Sequence, residues 1–310
     1  LIIALLHSIS HLNMLSLLLV ASIFIHLFLL NVSAAPVTLR SEQEQTQSKP
    51  PNIILLLTDD QDVLVGGMSH MPKLDRLLKG RGITFENGFV HTPICCPSRS
   101  SIVSGRYLHN GGALNNTVEG NCNGEWWQRD AETITFATVL KELGYQTSYA
   151  GKYLNNYGLP GSPDCQQFKN GTRTDGCRRV PPGWDRWLGL RGNSRYYNYG
   201  VVKSLDGGKT PAEEMQHKED YNKDYFPDLV ANFTLDSIAA FASSDKPFLA
   251  IAAWPTAHMP FTPAPWAETK YDGAEVQKTP NYNASSESLQ SKHWMMRGLA
   301  PVDEAMERSR

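Results

Sequence analysis

Cysteine is scarce in this chain, with five in 310 residues. Five is too few for a disulfide scaffold, and an odd number leaves at least one without a partner inside the chain. Charge bias is missing as well. Against 29 Lys and Arg stand 31 Asp and Glu, whereas a domain that grips nucleic acid usually carries a basic excess. No nucleic-acid partner is expected. Internal repeats are absent, and 24 Gly with 19 Pro are unexceptional, which sets aside collagen, solenoids and wholesale disorder. Aromatic residues are plentiful: 7 Trp, 12 Tyr and 11 Phe suffice for a large core.

From Leu15 to Leu30 the chain is mainly apolar and uncharged, and Val32-Ser33-Ala34-Ala35-Pro36 follows. Small residues before a cut after Ala34 or Ala35 mark residues 1–35 as a signal peptide. A membrane anchor is disfavoured, because the run falls short of the ~20 residues that cross a bilayer comfortably. No stable membrane span is expected after cleavage. Residues 36–50, rich in Ser, Gln and Glu, read as a polar linker. Sequons at Asn115, Asn170, Asn232 and Asn283 join the leader in favouring the secretory pathway. The chain ends at Met306-Glu307-Arg308-Ser309-Arg310, inside a helical pattern. Residues 51–310 are therefore expected to be the N-terminal part of one catalytic domain.

Within that part, Asn52 to Leu57 is a continuous apolar run, expected to be a strand buried on both faces of a parallel sheet. It ends in Thr58-Asp59-Asp60-Gln61-Asp62, of which Asp62 reads as a local turn residue. Pro72 opens a helix with Leu74, Leu77 and Leu78 on one face, and Ile83 to Val90 reads as extended. Helices are expected over Ser98 to Val103, just after Cys95-Cys96-Pro97, over Thr135 to Leu143, and over Asp228 to Ala242. Tyr145 to Ala150 and Phe248 to Ala253 read as strands, delivering Gly151-Lys152-Tyr153 and Trp254-Pro255-Thr256-Ala257-His258 at their ends. Residues 155–224, rich in Gly, Pro, Asn and Tyr, read as surface excursions. Alternating strands and helices with polar residues at strand ends indicate an α/β fold, whose ligands bind at the carboxyl edge of the sheet.

The run Cys95-Cys96-Pro97-Ser98-Arg99, continuing to Gly105-Arg106, resembles the signature of the sulfatase family. Asp59-Asp60 after the first strand, Lys152 in Gly-Lys-Tyr and His258 in Ala-His-Met-Pro resemble the same family in order and context. Further stretches narrow the resemblance to the heparan-sulfate glucosamine-6-sulfatases: Gly105–Asn110, Gly151–Asn155, Val180–Trp184, Tyr196–Tyr199, Asp224–Phe226 and Lys292–Trp294. Exo-acting lysosomal and endo-acting extracellular members share these stretches, and the exo type is favoured.

The resemblance implies an alkaline-phosphatase-like fold, with a mostly parallel central sheet and helices on both faces. It also implies that Cys95 is oxidised to formylglycine (3-oxoalanine) by a formylglycine-generating enzyme. A hydrated aldehyde carries two hydroxyls on one carbon: one attacks sulfur, and deprotonation of the other then expels sulfate. Calcium is implied at Asp59, Asp60 and Cys95, a donor set that suits a hard cation. Arg99, Lys152 and His258 are the implied catalytic cations, meeting a sulfated glycosaminoglycan and losing its 6-O-sulfate. A local disulfide between Cys165 and Cys177 is expected, leaving Cys122 free or paired beyond the chain.

Two departures stand out. Leu154 occupies a position where many sulfatases carry His, and a later Asp-Asn ligand pair has no counterpart. The chain as given is therefore expected neither to hold calcium tightly nor to turn over. Two other classes compete. A phosphatase of the same superfamily would use Ser or Thr in place of Cys95, and a non-catalytic fragment would bind glycosaminoglycan through Arg99 and Lys152.

Overall fold

The computed structural model describes residues 49–298, apart from 62, 64–65, 166–167, 170–171, 174–176, 274–277 and 279–281. The leader, all but the last two residues of the linker, Asp62, the sequon at Asn170 and the helical pattern near 301–310 lie outside the described residues.

Strand β1, Ile53–Leu57, is the apolar run that precedes Asp59. Helix α1, Cys95–Ser104, begins at Cys95 and stops where Gly105 takes a left-handed φ of 66°. Helix α2, Phe136–Glu142, starts at Thr135, whose side chain and that of Thr138 each accept the other's backbone N–H. Then follow β2 (Gln146–Lys152), β3 (Arg186–Leu190), β4 (Gly200–Ser204) and β5 (Glu213–Gln216). Helix α3, Phe226–Ala242, leads into β6, Phe248–Ala253.

The six strands form one sheet in the order β1-β6-β2-β3-β4-β5. The first four pair in parallel, and β4 is antiparallel to both its neighbours, β3 and β5. Alternation along the strands separates two cores. Tyr149, Trp187, Leu249 and Ile251 face the side covered by Phe136 and Leu140 of α2. Ala150, Leu188, Leu190 and Ala252 face Phe226, Val230 and Phe233 of α3. Helices thus lie on both faces of a mostly parallel sheet, and ligand-binding loops are expected at the carboxyl ends of its parallel strands.

Four expectations from sequence need correction. β1 is not buried on both faces: Ile54 and Leu56 are about half exposed. β1 is the edge strand of the described sheet, and α3 packs on β2, β6 and β3. Residues 155–224 are not simply surface excursions. They supply three strands of the six-stranded sheet and a block of core aromatics in which Tyr149 stacks on Trp187 at 5.0 Å and meets Trp184 at 5.2 Å. Their Gly and Pro turns separate strands too short to register as apolar runs. Residues 83–90 form no strand, and Ile83, Phe85 and Phe89 stand exposed. The helix at Pro72 lasts only to Leu74 before widening into a π turn, Asp75–Lys79, with Leu77 and Leu78 exposed.

Gly151 is the tightest point of the sheet. Its φ is 121°, and a Cβ there would stand 1.9 Å from the carbonyl oxygen of Ala253 on the neighbouring strand. No side chain fits without parting β2 from β6, the two strands that carry Lys152 and lead to His258. Gly151→Ala is expected to cost about 3 kcal/mol of stability, read as a lowered urea midpoint by circular dichroism. An unchanged midpoint would show that the two strands separate freely.

Candidate active site

Four neighbouring parallel strands end on the same edge and each sends residues to one place. β1 is followed by Asp59 and Asp60, β6 by His258, β2 ends in Lys152, and the turn after β3 carries Ser194. The first two ends are tied directly, since Asp59 N–H donates to the Thr256 carbonyl at 2.8 Å.

Asp59 is the hub. Its Oδ2 accepts from Lys152 Nζ at 2.6 Å and from Ser194 Oγ at 2.9 Å, and Oδ1 lies 3.3 Å from an Arg99 guanidinium nitrogen. Asp59 and Arg99 are 5% exposed and Lys152 is fully buried. Burial alone would raise the Asp59 carboxyl, but the two cations and the bonds from Lys152 and Ser194 outweigh it. The carboxyl therefore stands below its ordinary range. Arg99 also donates to the Lys152 carbonyl at 2.6 Å, a carbonyl that accepts from Tyr149 Oη as well. Helix α1 is thereby fastened to the end of β2.

Cys95 is half-buried at the start of α1 and is the one free thiol among the described residues. Burial raises its pKa, yet the hydrogen bond with His258 and the charge of Lys152 bring it below the usual thiol value. Nδ1 of His258 donates to the Met259 carbonyl at 2.6 Å. Nε2 is thus directed to the site, 3.7 Å from Asp60 Oδ2. The bond with Cys95 favours the protonated ring and raises its pKa against the opposing effect of burial. The loop holding His258 is pinned from behind by Tyr196 Oη, which donates to the His258 carbonyl at 2.7 Å.

A helix N-terminus ordinarily offers free N–H groups to an anion. Here Cys96 N–H donates to Asn116 Oδ1, Pro97 has none, and Ser98 N–H donates to the Ile94 carbonyl. With the Cys96 and Ser98 donors committed and none on Pro97, anion binding rests mainly on side-chain cations and the dipole.

The six residues singled out from sequence, Asp59, Asp60, Cys95, Arg99, Lys152 and His258, come together, with Asp60 at the exposed rim. Ser194 escaped sequence reading because the short strand before it did too. Its signal was a polar residue four positions beyond an apolar strand end. Leu154 is wholly buried in the aromatic core, so no polar group reaches the site from that position. Cys122 is not free: it is bonded to Cys96, and Cys165 to Cys177. Asn115, Asn232 and Asn283 are exposed.

Donor atoms of Asp59, Cys95 and His258 lie within 4.8 Å of one another. Calcium takes about six to eight oxygen ligands. Asp59 and Asp60 fit such a site in part, since a carboxylate has lone pairs beyond those the cations use. Cys95 fits it only once oxygen replaces sulfur.

The sulfatase family model matches residues 51–308. The chain belongs to the sulfatase family. It is 39% identical to human N-acetylglucosamine-6-sulfatase over 251 residues, covering 81% of this chain and 41% of that protein. It is 38% identical to the Drosophila melanogaster extracellular sulfatase SULF-1 homolog over 266 residues, covering 84% of this chain and 21% of that protein. This sulfatase chain thus spans less than half the length of these curated relatives. The crystal structure of yidJ from Bacteroides fragilis shares the fold, with a TM-score of 0.55 at 20% identity over 78% of this chain and 55% of that one.

Removing one member of a buried ion pair strands the other charge, at about 3–5 kcal/mol. Lys152→Met is expected to destabilise the sulfatase domain by that amount in urea unfolding. Adding Asp59→Asn is expected to recover part of the loss. A double variant as unstable as the sum of both single variants would show that the two groups are not coupled.

Proposed function

We propose that the whole protein is a sulfuric ester hydrolase that removes 6-O-sulfate from glucosamine residues of heparan sulfate or keratan sulfate. The observation that carries this reading is the seat of Cys95. It opens α1 within Cys95-Cys96-Pro97-Ser98-Arg99, bonded to His258 and in the field of Lys152. The name of the human relative supports a 6-sulfated N-acetylglucosamine as the substrate unit. The comparable identity to the extracellular sulfatase SULF-1 homolog supports an extracellular sulfatase as a second reading, which the sequence resemblance would make a 6-O-endosulfatase of heparan sulfate.

Oxidised to formylglycine by a formylglycine-generating enzyme, Cys95 would supply a geminal diol as the nucleophile toward sulfur. Calcium, held by Asp59 and Asp60 with the altered Cys95, would supply positive charge opposite the sulfate oxygens.

The chain's own residues do the rest. Lys152 spends two N–H groups on Asp59 and Ser194 and lies buried beneath the site, so it acts on an ester sulfate through its charge. Arg99 balances Asp59 and anchors α1. His258, whose Nδ1–H is held by the Met259 carbonyl so that Nε2 faces the site, is placed to hand a proton to the departing sugar oxygen when the ring is protonated. Such fixed charges act in a site largely shut off from water, where they are worth most.

Two disulfides suit an oxidising compartment. Among the described residues no helix is long and apolar enough to cross a membrane. The secretory pathway, ending in the lysosome or outside the cell, is the proposed location.

Mass spectrometry of the Cys95 peptide from secreted material is expected to show an aldehyde in place of the thiol. In the whole protein, Cys95→Ser is expected to lower sulfate release from N-acetylglucosamine 6-sulfate by about a thousandfold or more, with an unchanged melting curve. An unmodified thiol in active protein, or undiminished turnover by the variant, would overturn the reading.

A further inference from the structure

Beyond His258 the chain runs through Pro260, Pro263 and Pro265 into a short 3-10 turn, Pro265–Ala267. Proline fixes φ, so this loop is stiff before any packing is counted. It is also held from below, where Tyr225 Oη donates to the Thr262 carbonyl at 3.2 Å. On top of it Trp266 stands 70% exposed. The indole is not loose, because its Nε1–H donates to Tyr221 Oη at 3.0 Å. Tyr221 in turn packs on Tyr225, ring to ring at 5.6 Å.

Lys270 follows four residues later. Its Nζ lies 5.9 Å from the Trp266 ring centre and 5.8 Å from that of Tyr271. Among the described residues no carboxylate stands within ion-pair distance of it. Tyr271 meets His70 at 4.8 Å. His70 belongs to the loop that starts at Asp60, and Trp266 to the loop that starts at His258. The two loops that bring groups to the catalytic edge therefore meet again farther out, around a fixed indole, a second ring and a lysine.

We infer that Trp266, Lys270 and Tyr271 form a saccharide subsite. It takes an acidic sugar unit of the same chain as the sulfated unit at Cys95, beyond that unit. This rests on the proposed sulfatase function and adds polymer recognition to it. A pyranose ring has one face of C–H bonds that a flat, rigid ring covers at little entropic cost. A large exposed aromatic whose polar end is already bonded is a contact surface and not a stray residue. Lys270 adds a cation above that surface, and a sulfated or carboxylated sugar supplies the complementary charge. Neither Trp266 nor Lys270 takes part in the Asp59–Lys152 cluster, so the subsite governs affinity for chains and leaves the chemistry alone.

The test measures calorimetric binding of a sulfated heparan hexasaccharide and of N-acetylglucosamine 6-sulfate to the whole protein. Trp266→Ala and Lys270→Gln are each expected to weaken the hexasaccharide about five- to tenfold and to leave the monosaccharide unchanged. Trp266→Phe is expected to restore most of the loss, and Lys270→Gln to flatten the dependence on salt. Hexasaccharide affinity unaltered in both alanine and glutamine variants overturns the subsite while the reading of the Cys95 site stands. Equal weakening of both sugars also overturns it, since a damaged fold would do the same. Monosaccharide affinity unaltered by Lys152→Met overturns the reading of the Cys95 site instead. Binding of neither sugar by the unsubstituted whole protein overturns both.

Discussion

A carboxylate that is 5% exposed stays ionised only while cations stay beside it, and Asp59 has two. That requirement ties together parts of the chain far apart in sequence. Lys152 arrives on β2, Arg99 on α1, and Ser194 on the turn after β3, each bonded to the same carboxylate or to another of the set. The charges cost desolvation energy that a hydrophobic cluster would not. The arrangement therefore makes sense as a device that holds an electrostatic site in shape before substrate arrives.

The same economy explains how α1 is used. Its first N–H groups are committed to Asn116 and Ile94, and its second cysteine is bonded to Cys122. The helix start is thereby rigid, and Cys95 is left as the reactive member of the pair. Rigidity here is bought with backbone donors that could otherwise have met an anion. The burden of anion binding passes to Lys152, Arg99 and His258.

Much of this was legible in the chain. Cys95 to Arg99 is a contiguous run, and a contiguous run carries its chemistry wherever it folds. Asp59, Lys152 and His258 each follow an apolar strand, so the rule that parallel strands present ligand groups at their carboxyl ends placed them together. Ser194 was not legible, because Arg186–Leu190 sits among Gly- and Pro-rich turns and shows too short a pattern. Cys122 was not legible because disulfide partners cannot be deduced from spacing alone.

Local order was thus written in the sequence: the apolar runs that became β1 and β6, the alternation that became β2, the apolar stripe of α2, and the motif at Cys95. Which strand lies beside which was decided only by tertiary packing. The exposed face of β1, the close pass of Gly151 under Ala253, the partner of Cys96 and the place of Ser194 all follow from that neighbour order. The physical reason is range. Hydrophobic period and capping act over a few residues, whereas burial and ion pairing depend on groups that meet from tens of residues to more than a hundred away.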